Sequence, residues 1–396
     1  MKQLPSFQYS RNTKFIRMKS MRKLLIASIT VTSFMLLCSC ASTSSISYHQ
    51  INNRATLALL TKVANWQIDS IKRHGWRFTA DDWVNGALYT GLVNYANATN
   101  NDMVYDFLRY EVGEKLNYSI TQNANRYHAD WYCVGQLYVS LYEKYQQPKM
   151  LIDLKLLADT LINRPHSESL LWENKIANRE WAWCDALFMA PPTLAMLSKV
   201  TGNKDYLGLT DKLWWKTTDY LYDKKENLFY RDSRFFDRKE TNGERVFWSR
   251  GNGWVIAGLV RVLENMPQNY QNRNKYKVLF KEMAAKISKL QQADGTWRTS
   301  LLDPASYPSK ETSGTAFFCY ALTWGINNGL LAKTTYLPVI EKSWQALASS
   351  VQPSGMLGHV QPIGNKAKAE IKSSDTQVYG VGGFLLAGTE ILKMKK

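Results

Sequence analysis

Six short stretches concentrate the residues that could do chemistry. In chain order they are Asp81-Asp82-Trp83, His128-Ala129-Asp130-Trp131, Trp181-Ala182-Trp183-Cys184-Asp185, Trp248-Ser249-Arg250-Gly251-Asn252-Gly253-Trp254, Glu311-Thr312-Ser313-Gly314-Thr315 and Tyr379-Gly380-Val381-Gly382-Gly383. Each opens a segment of helical period. An acid or hydroxyl at such a place caps the helix and suits its dipole, which accounts for Asp82, Glu311 and Thr312. Asp130 and Asp185 sit against aromatic residues instead of in ordinary cap sequences. A carboxyl group beside Trp183 loses part of its hydration, and its pKa rises toward that of a general acid. The five histidines (His49, His74, His128, His166 and His359) include no pair at ligand spacing, so no metal is expected. No nucleophile elbow or phosphate loop is present, and the glycines around Asn252 follow no strand and precede no Lys. No cofactor is expected.

The elements that must position these residues are helices. A period near 3.6 runs from about residue 55 and predicts helices over 55–73, 83–98, 103–115, 131–145, 150–164, 183–200, 205–222, 254–264, 271–291, 312–327, 336–350 and 378–393. Twelve helices pair into six hairpins. Odd-numbered helices carry Lys, Glu and Asp on one face, as helices facing water do. Even-numbered helices are apolar and rich in small residues such as Gly86, Gly91, Gly258, Gly382 and Gly383. Small residues cost helix propensity and let backbones approach closely, which the inner ring of a closed barrel requires. No Pro- or Gly-rich linker divides the chain. The expectation is all-α: one catalytic domain over residues 55–396, folded as an (α/α)6 barrel. The long connections 165–182, 223–253, 292–311 and 351–377 all lead from odd to even helices, so they gather at the end where inner helices begin, and function tends to reside on such loops. Leu228–Tyr230 and Val246–Trp248 are expected to form a small hairpin there.

Composition narrows the use of this scaffold. The 396 residues include 14 Trp and 22 Tyr, side chains that fill cores and also stack on sugar rings. The N-terminus reads as an export signal. Met21-Arg22-Lys23 precedes an uncharged run over residues 24–37, too short to span a bilayer comfortably. The run ends at Leu37-Cys38-Ser39-Cys40, ahead of a Ser/Thr-rich stretch, which is the layout of a bacterial lipobox. Residues 1–40 are therefore expected to be a signal peptide leaving a lipidated Cys40, and residues 41–54 a polar tether. The protein would then be exported and held to a membrane only by its lipid, facing the periplasm or the cell surface. The leader carries seven of the basic residues and no acid, so the formal charge falls from +17 to about +10 without it. A moderately basic surface suits an anionic substrate. No basic helix or nucleic-acid motif accompanies it, and nucleic acid is discounted. Cys133, Cys184 and Cys319 are widely spaced in apolar surroundings and read as buried thiols.

Three of the motifs together carry a family resemblance. Trp183-Cys184-Asp185-Ala186-Leu187-Phe188-Met189-Ala190-Pro191-Pro192, Trp248-Ser249-Arg250-Gly251-Asn252-Gly253-Trp254 and Glu311-Thr312-Ser313-Gly314-Thr315-Ala316 resemble, in the expected order, motifs of the unsaturated rhamnogalacturonyl hydrolases of glycoside hydrolase family 105. Family 88 unsaturated glucuronyl hydrolases are their relatives. The resemblance spans roughly residues 55 to 393 and implies the same (α/α)6 fold. It also implies an unusual reaction on oligosaccharides that end in a C4=C5 unsaturated uronate. An aspartic acid protonates C4 of the vinyl ether, water adds at C5, and the hemiketal opens to expel the remaining sugar. Asp185 matches the general acid/base and Asp130 the second aspartate. Trp183 and Trp248 match aromatic pocket residues, Arg250 a polar group near the sugar, and Met189 the wall one turn after Asp185. Trp83 and His128 stand at the same rim. Lys175 and Arg250 are the candidate partners of the substrate carboxylate, Arg250 with bidentate geometry. Two departures stand out: Asn174 and Arg231 occupy places where family members often carry His, so those contacts are not carried over. Arg231 instead brings an extra cation that would tune the choice of uronate or neighbouring sugar. The galacturonyl or glucuronyl preference, the linkage and the oligomeric state stay open.

Two other functions fit the same rim. A conventional inverting glycosidase would use Asp130 and Asp185 as acid and base on saturated glycosides. A glycan-binding lipoprotein would use the tryptophans alone.

Overall fold

The computed structural model describes residues 51–120, 126–173 and 180–395. Among them run twelve helices in chain order, several of them interrupted. They are α1 (Asn53–His74), α2 (Trp83–Thr99), α3 (Asp102–Asp106, continued as a π-helix over Phe107–Glu114), α4 (a 3₁₀ turn Ala129–Tyr132, then Gly135–Tyr145), α5 (Pro148–Leu151, then Ile152–Ile162) and α6 (Ala186–Met189, then Pro191–Thr201). The second half comprises α7 (Lys204–Leu221), α8 (Ser249–Asn265), α9 (Arg273–Lys289), α10 (Thr312–Asn327), α11 (Lys333–Ser349) and α12 (Val378–Lys393). The even-numbered helices form a closed ring, each packed on the next and α12 packed back on α2. This is the (α/α)6 barrel anticipated from the pattern.

The inner ring closes because its small residues let backbones touch. A Cβ added at Gly91 would lie 2.4 Å from the carbonyl oxygen of Gly382, and one at Gly382 would lie 2.2 Å from that of Ala87. Gly258 meets the carbonyl of Leu187 at 2.4 Å in the same sense. These neighbours are backbone, which cannot swing aside. The tryptophans and phenylalanines between the helices complete the core: Trp254 packs on Phe317 with ring centroids 4.3 Å apart and on Phe188 at 4.8 Å.

Local differences from the sequence pattern have identifiable causes. Helix α1 starts at Asn53, inside the stretch expected to be tether, because Asn52 caps it by accepting from the N–H groups of Arg54 and Ala55. Helix α8 starts at Ser249, five residues before the expected 254, so Arg250 and Asn252 stand in its first turn. Gly251 and Gly253 disfavour a helix in isolation. They are kept helical here by Trp248 and Cys184 on one side and Phe317 on the other. Helix α6 breaks at Ala190 because Pro191 and Pro192 lack N–H groups. The expected hairpin between 228–230 and 246–248 does not form. Leu228–Phe229 pairs instead with Tyr222–Asp223, and Trp248 bridges to Ser300. The side chain of Asn252 takes both backbone groups of Phe229, receiving its N–H at 2.8 Å and donating to its carbonyl at 3.0 Å. That edge is thereby closed to a third strand.

The expected buried thiols are Cys133, Cys184 and Cys319, all free and buried. The expected signal peptide and lipidated Cys40 fall outside the described residues.

A single methylene can test the ring closure. Gly382→Ala is expected to destabilise the protein by about 1–3 kcal/mol, as overpacking against fixed backbone does. Gly208, whose added Cβ meets nothing within 4 Å, is the control position at which Ala should be tolerated, both read by urea denaturation.

Candidate active site

The long loops deliver one wall of the site onto another. Glu180 is fully buried and accepts from Arg164 at 2.9 Å and from Lys216, while Thr217 donates to the Trp181 carbonyl at 2.8 Å. These bonds fix the chain that leads into α6. Three residues on from Trp181, the Cys184 N–H donates to the Arg231 carbonyl at 2.9 Å. That bond ties the Asp185 turn to the loop carrying Arg231. Asp185 occupies the N-cap position of α6 yet makes no side-chain cap bond. Its carboxylate is therefore free for other work, unlike Asp82, which accepts from Val84, or Glu311, which accepts from Ser313 and Gly314.

Trp83, Asp130, Trp183, Asp185, Met189, Arg231, Trp248 and Arg250 line a single cavity of about 370 Å³ at this end of the barrel. His128 stands behind the wall, its ring 4.7 Å from that of Trp183. Lys175 lies outside the described residues. The cavity also has a side the sequence did not suggest, formed by Ile363, Gly364 and Asn365. These lie in the longest apparently featureless loop, where neither period nor motif signals a contact.

The electrostatics separate the two aspartates. Burial pushes the Asp130 carboxyl up to about 8, with the charge of Asp185 adding to the rise and Arg231 opposing it. Burial raises Asp185 as well, against the opposing charges of Arg231 and Arg250. Two desolvated carboxyls close together resist holding two negative charges. The proton they keep at neutral pH resides chiefly on Asp130. Burial and the charge of Arg231 bring His128 down to about 4. It is therefore neutral, and its Nδ1 accepts from the Asp130 N–H at 3.3 Å, so it orients the Asp130 turn instead of forming an ion pair.

The two arginines have different tasks. Arg250 is 1% exposed and donates to the carbonyls of Gln361 (2.7 Å), Pro362 (3.2 Å) and Gly364 (3.1 Å), and to the Tyr379 hydroxyl (3.0 Å). Its guanidinium also lies over the rings of Trp248 and Tyr379. With both terminal nitrogens engaged by the protein, it cannot offer a bidentate fork to a substrate carboxylate, and that expectation is corrected. Arg250 holds the 361–364 loop in place. Arg231 is the cation facing the acid, its Nε 3.6 Å from Asp185 Oδ2. Buried Asp232 fixes it by accepting from its Nη1 at 2.6 Å, and Trp172 lies against its guanidinium at 4.5 Å. The Nε of Arg231 is buried without a hydrogen-bond partner and is turned toward Asp185, and the residue lines the cavity. The run Arg231-Asp232-Ser233-Arg234 is the sequence signal for this arrangement, since alternating charges of that density seldom lie idle. Trp172 carried no such signal.

The arrangement can deliver a proton from a desolvated carboxyl to a ligand anion held by Arg231. Comparison with known proteins gives the family. The model of Glycosyl Hydrolase Family 88 matches residues 51–395. An unsaturated 3S-rhamnoglycuronyl hydrolase of Formosa agariphila is 38% identical over 366 residues, 87% of this chain and 93% of its own. A protein of the same name from Alteromonas sp. is 36% identical, over 84% of each chain. The solved structure of a glycosyl hydrolase family 88 protein from Bacteroides vulgatus superimposes with a TM-score of 0.77 at 28% identity, covering 86% of this chain and 99% of that one. The chain belongs to glycoside hydrolase family 88 and is an unsaturated uronyl hydrolase.

Proposed function

We propose that the protein removes a terminal Δ4,5-unsaturated uronate from oligosaccharides in which the next sugar is a 3-sulfated rhamnose. The observation that carries this reading is the Arg231 guanidinium beside Asp185 in a cavity walled by tryptophans. The substrate carboxylate binds Arg231. Its arrival offsets the positive charge that holds Asp185 down and adds a negative one, so Asp185 takes up a proton as the substrate seats. Asp185 then protonates C4, and water adds at C5 to give the hemiketal whose opening releases the rhamnose. Asp130, already neutral, donates a hydrogen bond to the ring or to the water. The sulfated rhamnose is suggested by the names of the two relatives and by the rim. Ile363 keeps 45% of its surface exposed at the cavity lip, where it would meet the C6 methyl of a 6-deoxyhexose. Lys366 and Lys368 follow on the same exposed loop, where they would face a sulfate.

The test is loss of the ultraviolet absorbance of the conjugated enoate across a panel of unsaturated oligosaccharides. The rhamnose-linked, 3-sulfated substrate is expected to be cleaved best and saturated glycosides not at all. Equal turnover of a neutral aglycone would reject the sulfate assignment, and cleavage of saturated glycosides would favour the conventional inverting reading. Asp185→Asn should lower kcat/KM by roughly 10²–10⁴-fold, the usual contribution of a general acid, without changing the fold.

The raised Asp130 makes a second, independent prediction. Activity should fall as pH rises through about 8, when this carboxyl ionises beside Asp185 and the bound uronate, and Asp130→Asn should remove that limb. The same group sets a stability trend. Its folded pKa lies above the ordinary carboxylate value, so its stabilising contribution is full below about 4 and is lost as pH rises through about 8. Asp130→Asn should therefore gain melting temperature over the parent progressively between pH 4 and pH 9.

We further propose that the enzyme is exported and lipid-anchored through Cys40. Cys40→Ser is expected to move it from the membrane to the soluble fraction on cell fractionation, and unchanged membrane association would reject the anchor.

A further inference from the structure

A second cavity opens on the same end of the barrel, between the C-terminal turn of α1, the α1–α2 loop and the start of α12. Its volume is about 380 Å³, matching that of the catalytic cavity. Trp66, Trp76 and Phe78 line it, each half-buried, so that aromatic surface is left facing the cleft. Gln67 and Gln377 also line it at 5% and 7% exposure. Among the described residues neither glutamine amide has a hydrogen-bond partner, and Gln377 stands at the N-cap of α12 without capping it. The Thr376 hydroxyl beside it is likewise buried and unpartnered. Asn85 donates to the carbonyls of Phe78 and Thr79, which leaves its own oxygen open.

A buried hydroxyl without a partner, as at Thr376, is rare outside places where a ligand or water completes it. Two unengaged amides beside it, flanked by aromatic faces, match a pyranose ring. Its vicinal hydroxyls pair with the donor and acceptor of an amide, while its apolar face stacks on an indole. Charge narrows the ligand. Arg77 and His74 line the cleft and no carboxylate does.

The cleft is joined to the catalytic site through one pair of rings. Asn85 lies two residues beyond Trp83, and Val378 immediately precedes Tyr379. Trp83 and Tyr379 stack with centroids 5.7 Å apart beside the catalytic cavity.

We propose that this cleft is a second carbohydrate-binding site, which takes an anionic sugar unit, sulfated or uronate, of the same class of glycan that the catalytic cavity cleaves. The choice of glycan class rests on the proposed function; the existence of the site does not. The cleft raises the local concentration of chains whose ends the active site trims, without taking part in the chemistry.

The experiment is affinity electrophoresis through gels containing a sulfated rhamnose–uronate polysaccharide, a neutral polysaccharide or none, alongside turnover of an unsaturated sulfated disaccharide too short to reach both sites. Wild type and Asp185→Asn should be retarded equally by the sulfated polymer alone. Trp66→Ala and Arg77→Ala should each lose most of that retardation, at least 10-fold in the apparent Kd, and keep disaccharide kcat/KM within about twofold. Gln67→Leu should weaken retardation, because it removes an amide that pairs with sugar hydroxyls. Retardation that survives Arg77→Ala and Trp66→Ala, or that disappears in Asp185→Asn, would overturn the proposal. A wild type that is retarded but leaves the disaccharide uncleaved would instead count against the proposed function and leave this site standing.

Discussion

The contact on which the rest of the structure depends is backbone against backbone in the inner ring. Where α2 meets α12 and where α6 meets α8, glycines remove the only atoms that would hold the helices apart. An inner ring drawn in this far has its centre filled by Trp254, Phe188 and Phe317. Polar chemistry is displaced to the rim, where the inner helices begin and the long loops converge. The rim is also where helix N-termini present unpaired N–H groups, and some of the acids there serve them. Asp82 and Glu311 do so. Asp185, at an equivalent position, does not, and this separates a carboxyl left to face the cavity from a structural one.

Around that acid the protein arranges opposing influences. Desolvation raises both aspartates; Arg231 opposes the rise at both, and Arg250 opposes it at Asp185 as well. The balance depends on the position of Arg231, which Asp232 and Trp172 hold from behind and the Cys184–Arg231 backbone bond holds from the side. Arg231 thus acts on both carboxyls at once, as the cation common to them. The proton inventory of the site is consequently sensitive to whether an anion is bound.

Much of this was legible in the sequence, for reasons that can be stated. The count of twelve helices, the inner and outer alternation and the end of the barrel that carries the loops all follow from period and from the placement of small residues, which reflect burial directly. Asp130 and Asp185 were separable from their capping counterparts because aromatic neighbours are a poor setting for a cap. Arg250 was misread. Its motif places it at the site, but its partners are carbonyls more than a hundred residues later, and a backbone carbonyl leaves no mark in a sequence. The same holds for Ile363 and for the hairpin whose pairing Asn252 redirects. Contacts made to backbone by one long-range side chain are set by tertiary geometry and cannot be read from local pattern.

The Arg250 anchor has an implication for how the family can diversify. It grips carbonyl oxygens of residues 361, 362 and 364, groups that every amino acid possesses. The identities of residues 363 and 365 are therefore left free by the grip, although both face the cavity. The loop behaves as a socket with a fixed base and an exchangeable tip. Mutation at the tip can reshape that wall of the cavity while the carboxyls, the guanidinium beside them and the barrel beneath stay unaltered.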